Sequence, residues 1–441
     1  MKAIILDGSP ANDGSGMRIK AALTGELLAA GWDVQAITLR EQKIGNCAGD
    51  FYCWVRSPGI CNVNDDNRLI AESIVNSDLL VYLTPVTFGG YSSELKRMVD
   101  NQLQNILPFF AQVDGETHHQ KRYKHYADFL AVGWLERPDP QAEALFRHLV
   151  ARNAVNFFAK TAVSAVVPMD QSDEQLHVSA RSWLADLQAG KSSPSPKLPA
   201  ADTVAGTTPL RRALLLAGSP RTRKSTSASL GGYLLEQLAK ENVQVETVYV
   251  HTSLRSAERM QNLFEALETT DLLLLAFPLY IDSLPAPLIE ALERIAARRA
   301  GVQQLHPQRM AAIVNCGFPE AQHNDTALAI CAAFARQSGF GWAGSLALGA
   351  GEGIVHGVPL NELDGRATSL KRSLDLAAQA LLAGQPIPQA AVDLMARPII
   401  PAWLYRLSGL YGWRQQAKQF GAQKLLKRQP YLNVKESHSS S

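Results

Sequence analysis

Short, almost wholly apolar runs alternate with longer stretches of helical period along most of this chain. Lys2–Leu6 is the first such run, followed by a turn and a helical pattern from about Ser15 to Ala30. Asp33–Thr38 then reads as a strand, Asp65–Asn76 as a helix and Leu79–Leu83 as a strand, with Phe129–Val132 and Ala162–Val167 as later strands. Strands this short and apolar belong to a parallel sheet covered on both faces. Helical crossovers between them make right-handed βαβ units.

Residues 189–210 break the pattern. They are rich in Ser, Pro, Ala and Thr without a period, the composition of a linker. Beyond them the plan repeats, with strands over Arg212–Leu216, Val243–Val250, Leu272–Phe277, Met310–Asn315 and Trp342–Leu348. Helices fit Ser225–Lys240, Ser256–Leu267, Ala286–Ala297 and Ala327–Gln337. One αβ unit therefore occurs twice, over 1–188 and 211–385, with a tail over 386–441.

The duplication is visible residue by residue. Gly8-Ser9-Pro10 ends the first strand, and Gly218-Ser219-Pro220 ends its counterpart 210 positions later. SDLLVYLTPVTFGG from Ser77 matches TDLLLLAFPLYIDS from Thr270. From Pro10 to Pro85 there are 75 positions, but from Pro220 to Pro278 only 58. The extra 17 fall in a cysteine-bearing loop, roughly Glu41–Asn64, that the second repeat lacks.

Composition narrows the picture. A chain of 441 residues, 46% hydrophobic, can fill two cores, and a net charge of +2 makes no case for nucleic acid. Five scattered cysteines do not form a secreted disulfide framework. No apolar run is long enough to span a bilayer, and the first residues read as a strand rather than a signal peptide. The expected home is the cytoplasm, with reduced thiols.

A strand that stops at Gly-Ser and feeds a helix offers backbone N–H groups and a positive dipole end to a phosphate. Hydroxyls at Ser9 and Ser15, or at Ser219, Ser225, Thr226 and Ser227, would add donors, and Arg221 a charge. An ordinary capped turn explains one such stretch. Two, each followed by a strand ending in a proline loop, favour a ligand. Gly218–Ser225 approaches the phosphate loop G-x-x-x-x-G-K-[ST], but Arg223 stands at its second glycine and Pro220 removes a donor. Triphosphate hydrolysis is not expected.

The order of Gly-Ser-Pro turn, serine-bearing helix start and TPVTFGG after the third strand resembles the NADPH-dependent FMN reductases and related flavodoxin-like flavoproteins. The resemblance implies two flavodoxin-like, doubly wound α/β domains, each with a five-stranded parallel sheet of order 2-1-3-4-5, and a C-terminal helical tail. It implies an FMN phosphate at Ser9, Pro10, Asn12 and Ser15, with Gly14 beside them. The flavin-ring loop would be Pro85, Val86, Thr87, Phe88 and Gly89, with Gly133 and Trp134 in the next loop. The second-repeat counterparts are Ser219, Arg221, Ser225 and Ser227, then Pro278, Leu279, Tyr280 and Ile281, with Gly317 and Phe318 after the fourth strand. Asp282 replaces the small residue usual in that family, so the second ring pocket is expected to be altered. The ligand would lie beyond the carboxyl ends of the strands, at the switch point. A tandem chain of this kind implies an internal pseudo-dimer.

The function so implied is an FMN-dependent NAD(P)H oxidoreductase, with NADPH or NADH as donor and a quinone-like or other electrophilic small molecule as acceptor. The flavin carries the reaction, so no catalytic side chain is singled out. The alternative is a flavodoxin-like electron-transfer or binding protein that does not itself oxidise NAD(P)H; bleaching of the flavin by NADPH separates the two.

Cys47, Cys53 and Cys61 lie within fifteen residues. Their loop resembles that of the iron–sulfur flavoproteins, which use C-x-x-C-x-x-C plus a fourth cysteine, but Asp50 takes the middle position. Three thiols argue against a four-iron cluster, and a zinc site of three cysteines and Asp50 has no further support. Trp54, Pro58 and Gly59 are instead expected to shape a lid or a dimer-type contact. Asp65 and Asp66 are expected to complement a helix dipole.

His118, His119 and His125 sit in an insertion before the fourth strand without ligand spacing, so no metal is assigned. That insertion is expected to cover the flavin or meet the NADPH phosphate through Lys121 or Arg122. GAGEGI from Gly349 is expected to be a mobile loop. The tail from Arg397 to Lys435 carries many cations and no acid, interleaved with Trp403, Tyr405, Tyr411 and Trp413. Packing across the two domains is preferred over an anionic membrane surface, because Pro398, Pro401, Gly409 and Gly412 interrupt a long interfacial helix. The closing Glu436–Ser441 is expected to be disordered.

Overall fold

The computed structural model describes residues 1–302, 306–363 and 365–432, so the closing Glu436–Ser441 lies outside the described residues. The chain divides into two compact units, 1–197 with 406–441, and 198–405.

In the first unit, β1 (Lys2–Asp7), β2 (Asp33–Thr38), β3 (Leu79–Pro85), β6 (Asp128–Leu135) and β7 (Ala162–Pro168) form a parallel sheet of order β2-β1-β3-β6-β7. β4 (Ile106–Val113) and β5 (Glu116–Lys121) stand apart as an antiparallel hairpin. The inner strands bury both faces: Ile4, Ile5, Leu6, Val81, Tyr82 and Leu83 are all inaccessible to solvent. β2 is the polar edge strand, its side chains exposed or half-buried. That contrast is what sheet position demands.

Helices α1 (Gly14–Ala29) and α6 (Asp173–Gln188) cover one face through Ile19, Leu23, Leu27, Leu176 and Leu184. Between them in sequence lie α2 (Tyr52–Val55), α3 (Asn67–Val75), α4 (Ser93–Asn101) and α5 (Pro140–Asn156). Local signals place their ends. Asp13 caps α1, Asp139 followed by Pro140 opens α5, and Ser172 with Gln175 forms a reciprocal capping box on α6. Asp65 and Asp66 stand at the start of α3 as expected, Asp65 Oδ1 accepting the Asn67 N–H at 2.9 Å, and they also tie a loop. They accept the N–H groups of Gly45 at 2.8 Å and Lys43 at 2.7 Å.

The second unit repeats the sheet as β9-β8-β10-β11-β12, from β8 (Arg212–Ala217), β9 (Gln244–Tyr249), β10 (Leu272–Pro278), β11 (Arg309–Asn315) and β12 (Gly341–Leu348). Its helices are α7 (Thr226–Lys240), α8 (Val250–Ser253), α9 (Ala257–Glu268), α10 (Ala286–Arg299), α11 (Asp325–Gln337), α12 (Gly351–Ile354), α13 (Thr368–Leu382) and α14 (Gln389–Ala396). α7, α13 and α14 share one core: Leu234, Leu374 and Met395 meet on β-strand residues such as Leu274 and Ile313. Both predicted sheets and their order are therefore present.

The tail forms α15 (Ala402–Gln419) and a short 3₁₀ turn, Gln423–Leu425. Within the first unit, Ala417, Leu426, Leu410 and Trp413 pack on Cys53, Trp54, Ile106 and Phe109. The Trp413 ring meets Trp54 edge-on at 5.2 Å. Trp54, expected in a lid, is thus part of a core: it is 1% exposed, and its indole donates to the carbonyls of Leu103 and Ile106. Gly59, with φ +86°, leaves no room for a Cβ, because Pro430 Cδ would lie 2.6 Å from it. No helix among the described residues is long and apolar enough to cross a membrane.

Candidate functional site

Two loops and the end of a strand meet at the carboxyl ends of β1, β3 and β6, where the strand order reverses. The Gly8 N–H donates to Leu83 O at 2.8 Å, and Ser92 Oγ donates to Gly8 O at 2.8 Å. Val86 N–H donates to Trp134 O at 2.9 Å, and the Trp134 indole donates to Asp13 Oδ2 at 2.9 Å. The Gly-Ser-Pro turn, the Pro85–Gly89 loop and the Gly133–Trp134 pair are thus joined by hydrogen bonds. Gly133 and Trp134, expected in a loop, instead lie at the end of strand β6, paired with both β3 and β7.

The turn itself is braced from beneath. Ser9 is turned inward, 1% exposed, and both its N–H and its hydroxyl donate to Asp7 Oδ1. Lys20 Nζ pairs with Asp7 Oδ2 at 2.6 Å. Burial alone would raise the Asp7 carboxyl, but Lys20 and Ser9 outweigh it and hold the group below the usual carboxylate range. Ser9, expected among the phosphate donors, therefore fixes the turn's shape instead.

What faces outward is the first turn of α1. Asp13 Oδ1 takes the Gly16 N–H at 3.0 Å. Among the described residues no protein acceptor meets the N–H of Gly14 or Ser15, and neither the Ser15 hydroxyl nor the Asn12 amide has a partner. Asn12 has φ +63°, and a Cβ added at Gly14 would meet nothing within 4 Å. Arg40 brings a cation close, its Nη1 donating to Ser9 O at 3.2 Å. Two amides at a helix N-terminus, a hydroxyl and a carboxamide are a donor set that fits a phosphate monoester.

The ring loop owes its shape to a tight turn. Thr87 and Gly90 exchange N–H to carbonyl bonds of 3.0 and 2.7 Å, with Phe88 at φ +54° and Gly89 at φ +82°. Two left-handed residues in succession define the turn that Asn-Gly sequences favour. Gly89 has no alternative, since a Cβ there would lie 2.6 Å from Leu145 Cδ2. Gly133 is equally confined, with Val86 Cγ2 2.6 Å from its would-be Cβ. The second unit makes the same turn with Ile281 at φ +42° and Asp282 at φ +59°, closed by Tyr280 and Ser283. Asp282 thus keeps the backbone its glycine counterpart adopts.

The remaining second-unit candidates meet partners of their own. Ser225 Oγ donates to Thr222 O at 2.7 Å and caps the Ala228 N–H of α7 at 3.1 Å. Ser227 Oγ donates to Asn315 Oδ1 at 2.8 Å, while Leu279 N–H bonds Asn315 O at 2.8 Å. Ser219 Oγ accepts the Arg221 N–H at 3.3 Å, and the Arg221 guanidinium pairs with Glu352. The expected mobile loop from Gly349 contains the helical turn α12.

The hairpin, too, differs from expectation. Arg122 is 2% exposed and cannot meet a phosphate: it donates to the carbonyls of Ile106, Leu426 and Arg428, clamping the tail. His118 bonds Asn156 at 2.8 Å, His119 stacks on Trp54 and Phe110, and His125 lies 3.7 Å from Asp78. The three rings diverge. The Asp114-Gly115 pair, both at positive φ, was the sequence signal for this hairpin.

Segments 1–113 and 211–338, together more than half of the chain, match the family model described as NADPH-dependent FMN reductase. The iron-sulfur flavoprotein of Methanocaldococcus jannaschii is 28% identical over 100 residues, 23% of this chain and 51% of the relative. An iron-sulfur flavoprotein of Archaeoglobus fulgidus is 27% identical over 103 residues, 23% and 46% of the two chains. The chain thus spans about half the length of the curated relatives it matches. Among solved structures, an FMN-dependent NADH-azoreductase from Bacillus anthracis is 14% identical with a TM-score of 0.30, covering 39% of this chain and 100% of that one. An NAD(P)H:quinone oxidoreductase from Methanothermobacter marburgensis is 15% identical with a TM-score of 0.29, covering 39% and 99%.

The cysteine loop does not fit an iron–sulfur cluster. Cys47, Cys53 and Cys61 border one cavity of about 30 Å³ with Asp50, but no group of three or more His, Cys, Asp or Glu is placed to hold a metal among the described residues. Burial pushes all three thiols up, Cys47 to about 12, so they stay protonated at neutral pH.

Proposed function

Because the chain belongs to the NADPH-dependent FMN reductase family, we propose that it is an FMN-dependent NAD(P)H oxidoreductase whose flavin sits on the first unit. The observation that carries this reading is the junction of two loops with the end of β6, through Asp13, Val86 and Trp134, at the switch point of the first sheet. The open turn of α1, with Asn12, Gly14 and Ser15, holds the phosphate. Pro85, Val86, Thr87, Phe88 and Gly89 lie along the isoalloxazine. Gly133 lets Val86 close against β6, and Trp134 ties the phosphate turn to the ring loop, so that one rigid seat serves both ends of the cofactor.

When held there, FMN would supply the redox chemistry, between a nicotinamide donor and a one- or two-electron acceptor. The chain's part is orientation: backbone groups fix the ring, and the braced Asp7–Ser9–Lys20 base keeps the turn from yielding. The acceptor is a small quinone-like or otherwise electrophilic molecule. The absorption spectrum tests the reading. Purified full-length protein is expected to be yellow, or to become so with FMN, and to bleach anaerobically on adding NADPH or NADH. Protein that binds FMN without bleaching is a carrier and not a reductase. Protein that binds none refutes the flavin assignment.

A further inference from the structure

Besides the cysteine loop and the β4–β5 hairpin of the first unit, the two repeats differ after their last strand. Between the last strand and the long helix that covers the sheet, the first unit spends only residues 169–172 before α6, whereas the second has 349–367 before α13, with the helical turn α12 inside them. The longer segment lies on the opening turn of α7. A Cβ on Gly351 would fall 2.8 Å from Asn315 Cβ and 3.3 Å from Thr226 Cγ2. Gly357, at φ +72°, stands so close to the turn that its Cβ would be 2.5 Å from Lys224 O. Ser229 Oγ donates to Val358 O at 2.6 Å, and Val355 is fully buried.

This segment delivers a carboxylate to that turn. Glu352 receives both terminal nitrogens of Arg221, one at 2.7 Å, in a two-pronged pair. Thr226 Oγ1, at the first position of α7, lies 3.3 Å from Glu352 Oε2, and His356 Nδ1 lies 3.0 Å from Oε1. A paired guanidinium, a hydroxyl and a helix N-terminus are the partners a phosphate would take. Burial alone would raise the Glu352 carboxyl, but Arg221 and, to a lesser extent, His356 and Thr226 hold it below its usual range. The hydroxyls of Ser225 and Ser227, meanwhile, are committed to Thr222 and Asn315.

We propose that Glu352 occupies the anion seat of the second unit, so that the full chain takes up one flavin, at the first-unit turn, and none at the second. The stoichiometry rests on the functional reading above; the occupancy of the seat by Glu352 does not. In the first unit the cap residue Asp13 comes from the turn itself and leaves two amides open. In the second, a separate segment reaches across and engages the charge-bearing side chain.

The test is titration of the full-length chain with FMN, and separately with inorganic phosphate, in the wild type, Glu352→Ala, Arg221→Ala and Ser15→Asp. One FMN per chain, lost in S15D and retained in R221A, is expected. E352A is expected to gain phosphate binding by roughly tenfold, as a freed Arg221 and Thr226 supply charge-assisted bonds, and R221A to gain none. Two FMN per wild-type chain, or loss of the single FMN in R221A with S15D unaffected, overturns the proposal while leaving the flavin reading intact. No FMN uptake by the wild type refutes the flavin reading. The phosphate arm then decides the seat: a gain in E352A upholds Glu352 as its occupant, and none overturns it. Circular dichroism checks each variant; should E352A not fold, Glu352→Gln, which keeps the shape and removes the charge, takes its place in the phosphate arm.

Discussion

Replacing Gly89 by alanine probes the ring loop with the smallest change available. Two independent effects add. At φ +82° an L-residue is disfavoured by about 1–2 kcal/mol relative to glycine. The new methyl would also lie 2.6 Å from Leu145 Cδ2 and 2.9 Å from its Cβ and Cγ. Ordinary carbon contacts are about 3.5–4.0 Å, so Leu145 or the loop must retreat by about 1 Å. Leu145 is 2% exposed on α5 and has no solvent to swing into. Overpacking of this kind costs about 1–3 kcal/mol, which brings the expected loss to about 2–5 kcal/mol.

Since the units need not unfold together, the readout must be local. Hydrogen exchange of peptides from β3, α5 and β6 should accelerate in G89A, while peptides from β8 and β10 keep the wild-type rate. Urea unfolding should show the first unit's transition moved to lower denaturant. FMN affinity should fall with it, because the displaced turn lies under the isoalloxazine in our assignment. Gly232→Ala is the control: inside α7, its added Cβ meets nothing within 4 Å, and alanine is favoured in a helix interior by up to ~1 kcal/mol. A G89A chain within about 0.5 kcal/mol of wild type, with unchanged exchange in α5, would mean that the turn is not held as described.

Three further outcomes follow from particular side chains. Arg122→Met removes the clamp on Leu426 and Arg428; trypsin should cut after Lys424, Lys427 and Arg428 well before the rest of the chain, and Lys121→Met should not reproduce this. Its stability loss should be about 1.5–3 kcal/mol, the range for hydrogen bonds to a charged group. Asp7 titrates below its ordinary value of 3.8 when folded, so its stabilising contribution is full above that value and lost as the pH falls through the folded pKa; Asp7→Asn should flatten stability against pH in that acid range. The buried Cys53 thiol, raised by its burial, should resist a disulfide reagent at pH 7–8 in the folded protein longer than the half-buried Cys47 and Cys61, and all three should react fully in urea; fast reaction of Cys53 in the native state would refute its burial.

The sheets were legible because parallel strands buried on both faces must be short and apolar, and helix caps such as Asp139-Pro140 are written in single residues. The parts of the first site were legible because Gly89 and Gly133 leave no space for a side chain. Contacts that depend on residues far apart in sequence left no local trace. The pairing of Trp134 with Asp13 spans 121 positions, and that of Arg122 with Arg428 spans 306. Arg122 illustrates the difference: in sequence it is one cation in a basic stretch, and only the fold shows its guanidinium making four hydrogen bonds to the carbonyls of Ile106, Leu426 and Arg428. The tail was expected to pack across the two domains; its Leu410, Trp413, Ala417 and Leu426 pack within the first unit, and nothing in its composition says that Trp54 and the cysteine loop are what they cover.

Duplication gives each repeat the same turn, and what each has added beside it sets whether that turn is open. The first repeat has lengthened the stretch before β3, and the added cysteine loop lies in a core with Ala417 and Leu426 of the tail. The α1 turn remains open. The second has lengthened the stretch after β12, and the addition carries an acid to the α7 turn. A carboxylate at a helix N-terminus is stabilised by the same dipole and amides that would attract a phosphate, so the turn keeps its shape whether or not a ligand is bound. Retaining Gly218-Ser219-Pro220 is then no sign of a second flavin. The strained left-handed pair Ile281-Asp282 is retained on similar grounds: with β10 and α10 fixed on either side, Tyr280 and Ser283 have no other way to close the loop.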